Sequence, residues 1–204
     1  HCRDTLSLHD ALPISRDKQC LGRRLWDTSA GDWEKKYSWL TYNDVDQART
    51  RVGSGLVQLW KEGTVGGESI KGWTVGIWSG NRPGASSLRL PRRGADAPHA
   101  NAEWQFASQA CSAYTLTMVS LYDTLGPDVV EYCINHSSAR VIFASPAHIP
   151  HLLKLAKVCP TVKVIVCMDS WADIEAQGAP PGVKSDELLR DWGKDVGEIG
   201  RAPV

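Results

Sequence analysis

The chain has 204 residues, 42% of them hydrophobic and 23% charged, with 23 Lys plus Arg against 23 Asp plus Glu. That composition can bury a core and is not that of a disordered chain, and the balanced charge gives no support to a nucleic-acid or membrane-surface electrostatic partner. No apolar run approaches the roughly 18 uncharged residues a membrane helix needs: the best, Val162 to Met168, is short and interrupted by Lys163. A peripheral membrane contact stays open.

The first 15 residues, HCRDTLSLHDALPIS, lack the cationic region and long apolar stretch of a secretory signal. They resemble translated sequencing adapter and are set aside as a non-native leader. Residues 16–40 scatter Trp26, Trp33 and Trp39 among polar residues, which predicts an irregular arm with short extended pieces. Thr41 then opens a helix, and Asp44 three residues on completes a capping box. Val45, Ala48, Val52, Leu56 and Leu59 mark one helical face, and Gly63 with Gly66-Gly67 ends it.

Trp73 to Ser79 reads as a strand, because β-branched Val75 and Ile77 alternate with Gly76 and Trp78. Gly84 to Asn101 has neither helical nor strand period, and structureless loops of that length are uncommon inside domains. Three readings compete there: a basic loop binding phosphate through Arg89, Arg92 and Arg93, a natural surface insertion, and a translated retained intron. Trp104, Ala107, Cys111 and Tyr114 form the next helical stripe, and Leu116 to Leu121 the next strand. Gly126-Pro127-Asp128 turns into a helix with Pro127 near its first position and Asp128 at the positive end of its dipole.

Arg140 to Ala144 is a short apolar strand. Pro146 opens a helix carrying Ile149, Leu152, Leu153 and Ala156, Pro160 closes it, and Val162 to Met168 is the next strand. Ser185, Asp186 and Glu187 start a predicted short helix through Trp192. Strands alternating with helices predict an α/β domain, a mainly parallel sheet flanked by helices.

Residue chemistry alone is sparse. The loop Gly63 to Lys71 fails the P-loop pattern, which needs Gly-Lys followed by Ser or Thr between a strand and a helix; here the helix comes first, so it reads as a connection. Gly193, Gly197 and Gly200 miss the dinucleotide spacing. His148 and His151 lack a clear third metal ligand, so no metal site is assigned. Asn135-His136-Ser137 fits a glycosylation sequon without any sign of a secretory path, and Asp169 and Asp173 read as solvated loop residues rather than a catalytic pair. The six cysteines form no C-x-x-C pair and read as buried, reduced thiols of an intracellular protein.

Several segments, in order, resemble the N-terminal region of eukaryotic long-chain fatty-acyl-CoA synthetases of the AMP-forming adenylating superfamily. These are Cys20 to Arg24, Trp39-Leu40-Thr41-Tyr42, Gly53 to Leu56, Val75 to Ser79 leading into Asn81-Arg82-Pro83, and Glu103-Trp104. The most specific is Tyr122-Asp123-Thr124-Leu125-Gly126, with Glu131-Tyr132 and Asn135-His136 downstream, and Glu198 to Arg201 resembles the stretch before the family's phosphate-binding loop. The resemblance covers residues 20–83 and 102–204, which makes 16–204 the N-terminal part of an AMP-binding domain. In the family Asn-Arg-Pro runs directly into Glu-Trp, which favours a retained intron for residues 84–101.

The resemblance implies an enzyme that joins a fatty acid to coenzyme A with ATP and magnesium, through an acyl-adenylate. The family's phosphate loop ending in Lys, its aromatic-Gly-x-Thr-Glu segment, its ribose-binding Asp and its mobile-domain lysine are all missing from these residues, so no catalytic residue is assigned. The chain by itself is expected to be inactive, poorly soluble through its uncovered apolar faces, and not to bind ATP, magnesium or CoA. The run Tyr122, Asp123, Thr124, Leu125, Gly126 is expected to be a structural strand-end turn, with a ligand-contacting loop as the alternative. The rival readings are a non-catalytic α/β module, a truncated product without function, and another acyl- or aryl-acid ligase of the superfamily. An intracellular location is expected, with the peroxisome, the endoplasmic reticulum and the lipid-droplet surface all open.

Overall fold

Val141–Ala144 and Val164–Cys167 are buried at every position, and the main sheet is built around them. The computed structural model describes residues 16–27, 29–30, 32–79, 102–122, 126–168 and 189–191. Outside these lie the leader, the segment 84–101, Arg89, Arg92, Arg93, Asn81-Arg82-Pro83, Asp123 to Leu125, Asp169, Asp173, the glycines 193, 197 and 200, and Glu198 to Arg201.

In chain order the elements are β1 (Gln19–Asp27), β2 (Asp32–Thr41), α1 (Tyr42–Lys61), β3 (Thr74–Trp78), α2 (Ala102–Ala113), β4 (Thr117–Ser120), α3 (Pro127–Ser137) and β5 (Val141–Ala144). A 3-10 turn (Pro146–His148), α4 (Ile149–Leu155), β6 (Val164–Cys167) and β7 (Leu189–Asp191) follow. The sheet order is β4-β3-β5-β6-β7, and every neighbouring pair is parallel.

Side chains on a strand alternate faces, so the sheet divides two hydrophobic clusters. Val75, Ile77, Val141, Phe143, Val164 and Val166 join Leu56 of α1 and Ala107 of α2 on one face. Trp78, Ile142, Ala144, Ile165 and Cys167 join Ile134 of α3 and Leu152 of α4 on the other. Each fully buried aliphatic side chain contributes about 1.5–3 kcal/mol, and strands covered on both faces need no polar alternation.

Two expectations need correction. Residues 19–41 are not an irregular arm: β1 and β2 pair antiparallel as a separate two-stranded sheet. Most of its described side chains are exposed, so no burial wrote a period of two into the sequence. Gly22 lies opposite Trp39, and a Cβ on it would strike the Trp39 ring, which lets the indole lie on the backbone. Nor is 189–191 helical: Leu189 to Asp191 pair with Ile165 to Cys167. The hydrogen-bonding edge of β6 outweighs the local helical preference of the Leu-Leu-Arg run.

Helix α1 starts as its cap predicts. The Thr41 hydroxyl accepts from the Asp44 N–H (3.2 Å), and the Thr41 N–H donates to the Asp44 carboxylate (2.8 Å). The Thr41 N–H and the Thr41 hydroxyl, which itself donates to the Asp44 carboxylate (2.7 Å), hold that carboxyl below its ordinary 3.8, the N–H contributing most. Farther along, Gly53 lets α1 approach the Tyr114 ring, which lies where a Cβ would stand. The Tyr114 hydroxyl sits 3.2 Å from Ser54 Oγ.

Gly53→Ala is therefore expected to destabilise the fold by about 1–3 kcal/mol, the range for overpacking, read as a lowered urea midpoint. For Asp44, a depressed folded pKa means stability that is present above the unfolded value and lost as pH falls through the lower folded one. The stability gap between the parent chain and Asp44→Asn should be widest near neutral pH and shrink in acid. A gap independent of pH would contradict the cap.

Candidate functional site

The crossovers that leave β3 and β5 run in opposite directions, one to β4 and the other to β6. Helix α2 leads to β4 on one side, and α3 then carries the chain back past β3 to β5 on the other. In open parallel sheets such a reversal parts the connections beyond the carboxyl ends of the two strands and opens a ligand crevice there. In this fold the reversal lies at the ends of β3 and β5, around Trp78, Ser79, Ala144 and Ser145.

The side chains at that edge are packed onto one another. Trp78, 5% exposed, carries the His148 ring stacked at 4.6 Å and His151 edge-on at 5.5 Å. Ser145 Oγ lies 2.7 Å from His148 Nδ1, and the Ser145 N–H donates to the Trp78 carbonyl (3.1 Å). The 3-10 turn that Pro146 opens places His148 there. The two histidines that the sequence offered as a weak metal pair thus face the same indole. Their closeness was readable from the spacing; the role of Trp78 was not, since it depends on β3 and β5 being neighbours.

Of the Tyr122–Gly126 run, the structure describes the two ends. Leu121 is buried, and its N–H donates to the Ile77 carbonyl (2.8 Å), which extends β4 by one bond. Tyr122 is exposed at the carboxyl edge. Gly126 has φ +83° and precedes Pro127, the first residue of α3. Positive φ favours glycine, so the run starts at a strand end and finishes in a helix cap.

The remaining sequence candidates are separated. The loop Gly63 to Lys71 joins α1 to β3 at the amino edge, with the Trp60 indole N–H donating to the Gly67 carbonyl (2.9 Å). Asn135 is exposed on α3. Among the described residues, no group of three or more His, Cys, Asp or Glu side chains is placed to hold a metal ion, and no helix is long and apolar enough to cross a membrane.

No family model matches the chain. It is 34% identical over 174 residues to a peroxisomal acyl-CoA ligase of Penicillium brevicompactum, covering 83% of this chain and 22% of that protein. It is 31% identical over 207 residues to long-chain-fatty-acid–CoA ligase 1 of Cavia porcellus, covering 98% of this chain and 24% of that one. The chain therefore spans less than a quarter of either relative. Among solved structures, the A-PCP didomain of carboxylic acid reductase from Segniliparus rugosus, in complex with AMP, superposes with a TM-score of 0.69 at 15% identity, covering 99% of this chain and 28% of that one. This last likeness concerns the fold.

The described thiols serve the core. Cys111, Cys159 and Cys167 are buried, and Cys20 and Cys133 half-buried. Burial pushes the Cys111 thiol up to about 12, so the nucleophilic thiolate is scarce near neutrality. In the folded chain at pH 8, iodoacetamide should leave Cys111 unmodified and label it once urea is added. Peptide mass spectrometry before and after unfolding checks this, and rapid labelling of Cys111 in the native state would contradict its burial.

Proposed function

Because the chain belongs to the long-chain acyl-CoA ligases of the AMP-forming adenylating superfamily, we propose that it is the N-terminal part of an enzyme that converts a long-chain fatty acid, ATP and coenzyme A into acyl-CoA, AMP and pyrophosphate. The observation that carries this is the 31% identity to a long-chain ligase over 98% of the chain, laid on a sheet whose strand order suits a carboxyl-edge site. In that reaction the fatty carboxylate attacks the α-phosphorus of ATP and expels pyrophosphate. The thiol of coenzyme A then attacks the acyl carbon and releases AMP. The peroxisomal relative supports a peroxisomal location.

The described residues do not fit the nucleotide and its magnesium. Phosphoryl chemistry needs convergent backbone donors, cations and metal-binding oxygens. At the carboxyl edge the described residues present instead the packed Trp78, His148 and Ser145. No step is therefore assigned to a described residue. The chain's part is the scaffold: β3 and β5 fix where a crevice opens, with Tyr122 following β4 and Gly126 capping α3 at the same edge.

The isolated chain should give no ATP–pyrophosphate exchange with palmitate or oleate, and exchange above background would overturn the scaffold role. A polypeptide extended in the same reading frame through a Ser/Thr/Gly-rich phosphate loop and the mobile-domain lysine should exchange pyrophosphate only with fatty acid present. If that longer chain folds and adenylates only short or aromatic acids, the long-chain reading fails while the family stands.

A further inference from the structure

A polar cavity of about 300 Å³ lies at the amino edge of the sheet, opposite the edge that carries Trp78 and His148. It is formed where the α1–β3 loop meets the C-terminal end of α3 and the residue before β5. Its lining supplies two cations, Lys71 and Arg140, and the hydroxyl residues Ser69, Thr74, Ser137 and Ser138, against one carboxylate, Glu68. Arg140 is held in place: Nη1 donates to the Val65 carbonyl (3.1 Å), and the guanidinium lies over the Trp73 ring at 5.8 Å. One bond to Val65 leaves the guanidinium further N–H donors to offer.

Trp73, only 5% exposed, lines the same cavity, and its indole Nε1 is buried without a hydrogen-bond partner. A buried N–H left without an acceptor is costly. Gly67 is what keeps the place clear: a Cβ there would stand 3.1 Å from Arg140 Nη1 and 3.5 Å from Trp73 Nε1. Donors and positive charge outnumber acceptors on this wall, and the missing partner is an acceptor.

We propose that this cavity binds the oxyanion group, phosphate or carboxylate, of a small ligand, with Arg140, Lys71 and the Trp73 indole N–H as its donors. The site needs none of the carboxyl-edge residues and does not rest on the acyl-CoA ligase reading. Arg140 is the positioned donor, Lys71 the exposed one, and the glycine at 67 leaves room for the ligand oxygens. The cavity is larger than one oxyanion, so part of the ligand's body is accommodated as well.

The test is a titration of the ¹⁵N-labelled chain, with the Trp73 indole resonance assigned through Trp73→Phe. Inorganic phosphate and sodium acetate form two arms, and sodium chloride at matched ionic strength is the control. A saturable shift of the Trp73 indole N–H with phosphate, or with acetate, supports the site, and the stronger arm names the oxyanion. Lys71→Gln changes an exposed side chain and should weaken binding about tenfold with the fold intact, the effect of one charge-assisted bond. A shift that chloride reproduces, no shift in either arm, or unchanged affinity in Lys71→Gln with Arg140→Gln would each overturn the proposal.

Discussion

Two-sided burial of β5 and β6 is the constraint from which the rest follows. Val141 and Phe143 face the α1–α2 layer while Ile142 and Ala144 face the α3–α4 layer, and β6 repeats the division with Val164 and Val166 against Ile165 and Cys167. A strand apolar on both faces can be accommodated only between two layers of helices. The helices are therefore divided between the two faces, α1 and α2 on one and α3 and α4 on the other, and the direction of the crossovers reverses between β3 and β5. The reversal in turn sets the ends of β3 and β5 apart as the place where a ligand can enter.

The two edges of the sheet have different characters. At the carboxyl edge an indole is covered by two imidazoles, and a hydroxyl holds one of them. The amino edge carries a cavity with a guanidinium fixed over a second indole. Trp78 and Trp73 bracket the same strand β3, five residues apart, and each is partnered by residues from the β5 neighbourhood. In the scaffold role proposed for this chain, the strand pairing of β3 with β5 thus organises both edges at once.

How much could be read in advance depended on where the signal was written. The Thr41–Asp44 cap and the apolar stripe Val45, Val52, Leu56, Leu59 were legible because a local hydrogen bond and one buried face leave marks at fixed spacing. Pro127 opening α3 was legible for the same reason, a local backbone requirement. The β1–β2 hairpin was not, because strands wet on most of their surface carry no alternation. Strand β7 was misread because its backbone partner, β6, lies more than twenty residues away. The Trp73–Arg140 and Trp78–His148 pairs were equally invisible, each joining residues that the sheet alone makes neighbours.

The amino-acid sequence by itself determined the α/β class, the residues that form the apolar strands, the helix caps and the membership of the acyl-CoA ligase family, since all of these rest on local pattern or on ordered motifs. Only the tertiary structure decided the strand order, the face each helix covers, and which side chains meet at the two edges of the sheet. The reason is physical: periodicity records that a face is buried but not what buries it, and that identity is fixed only when distant segments pack.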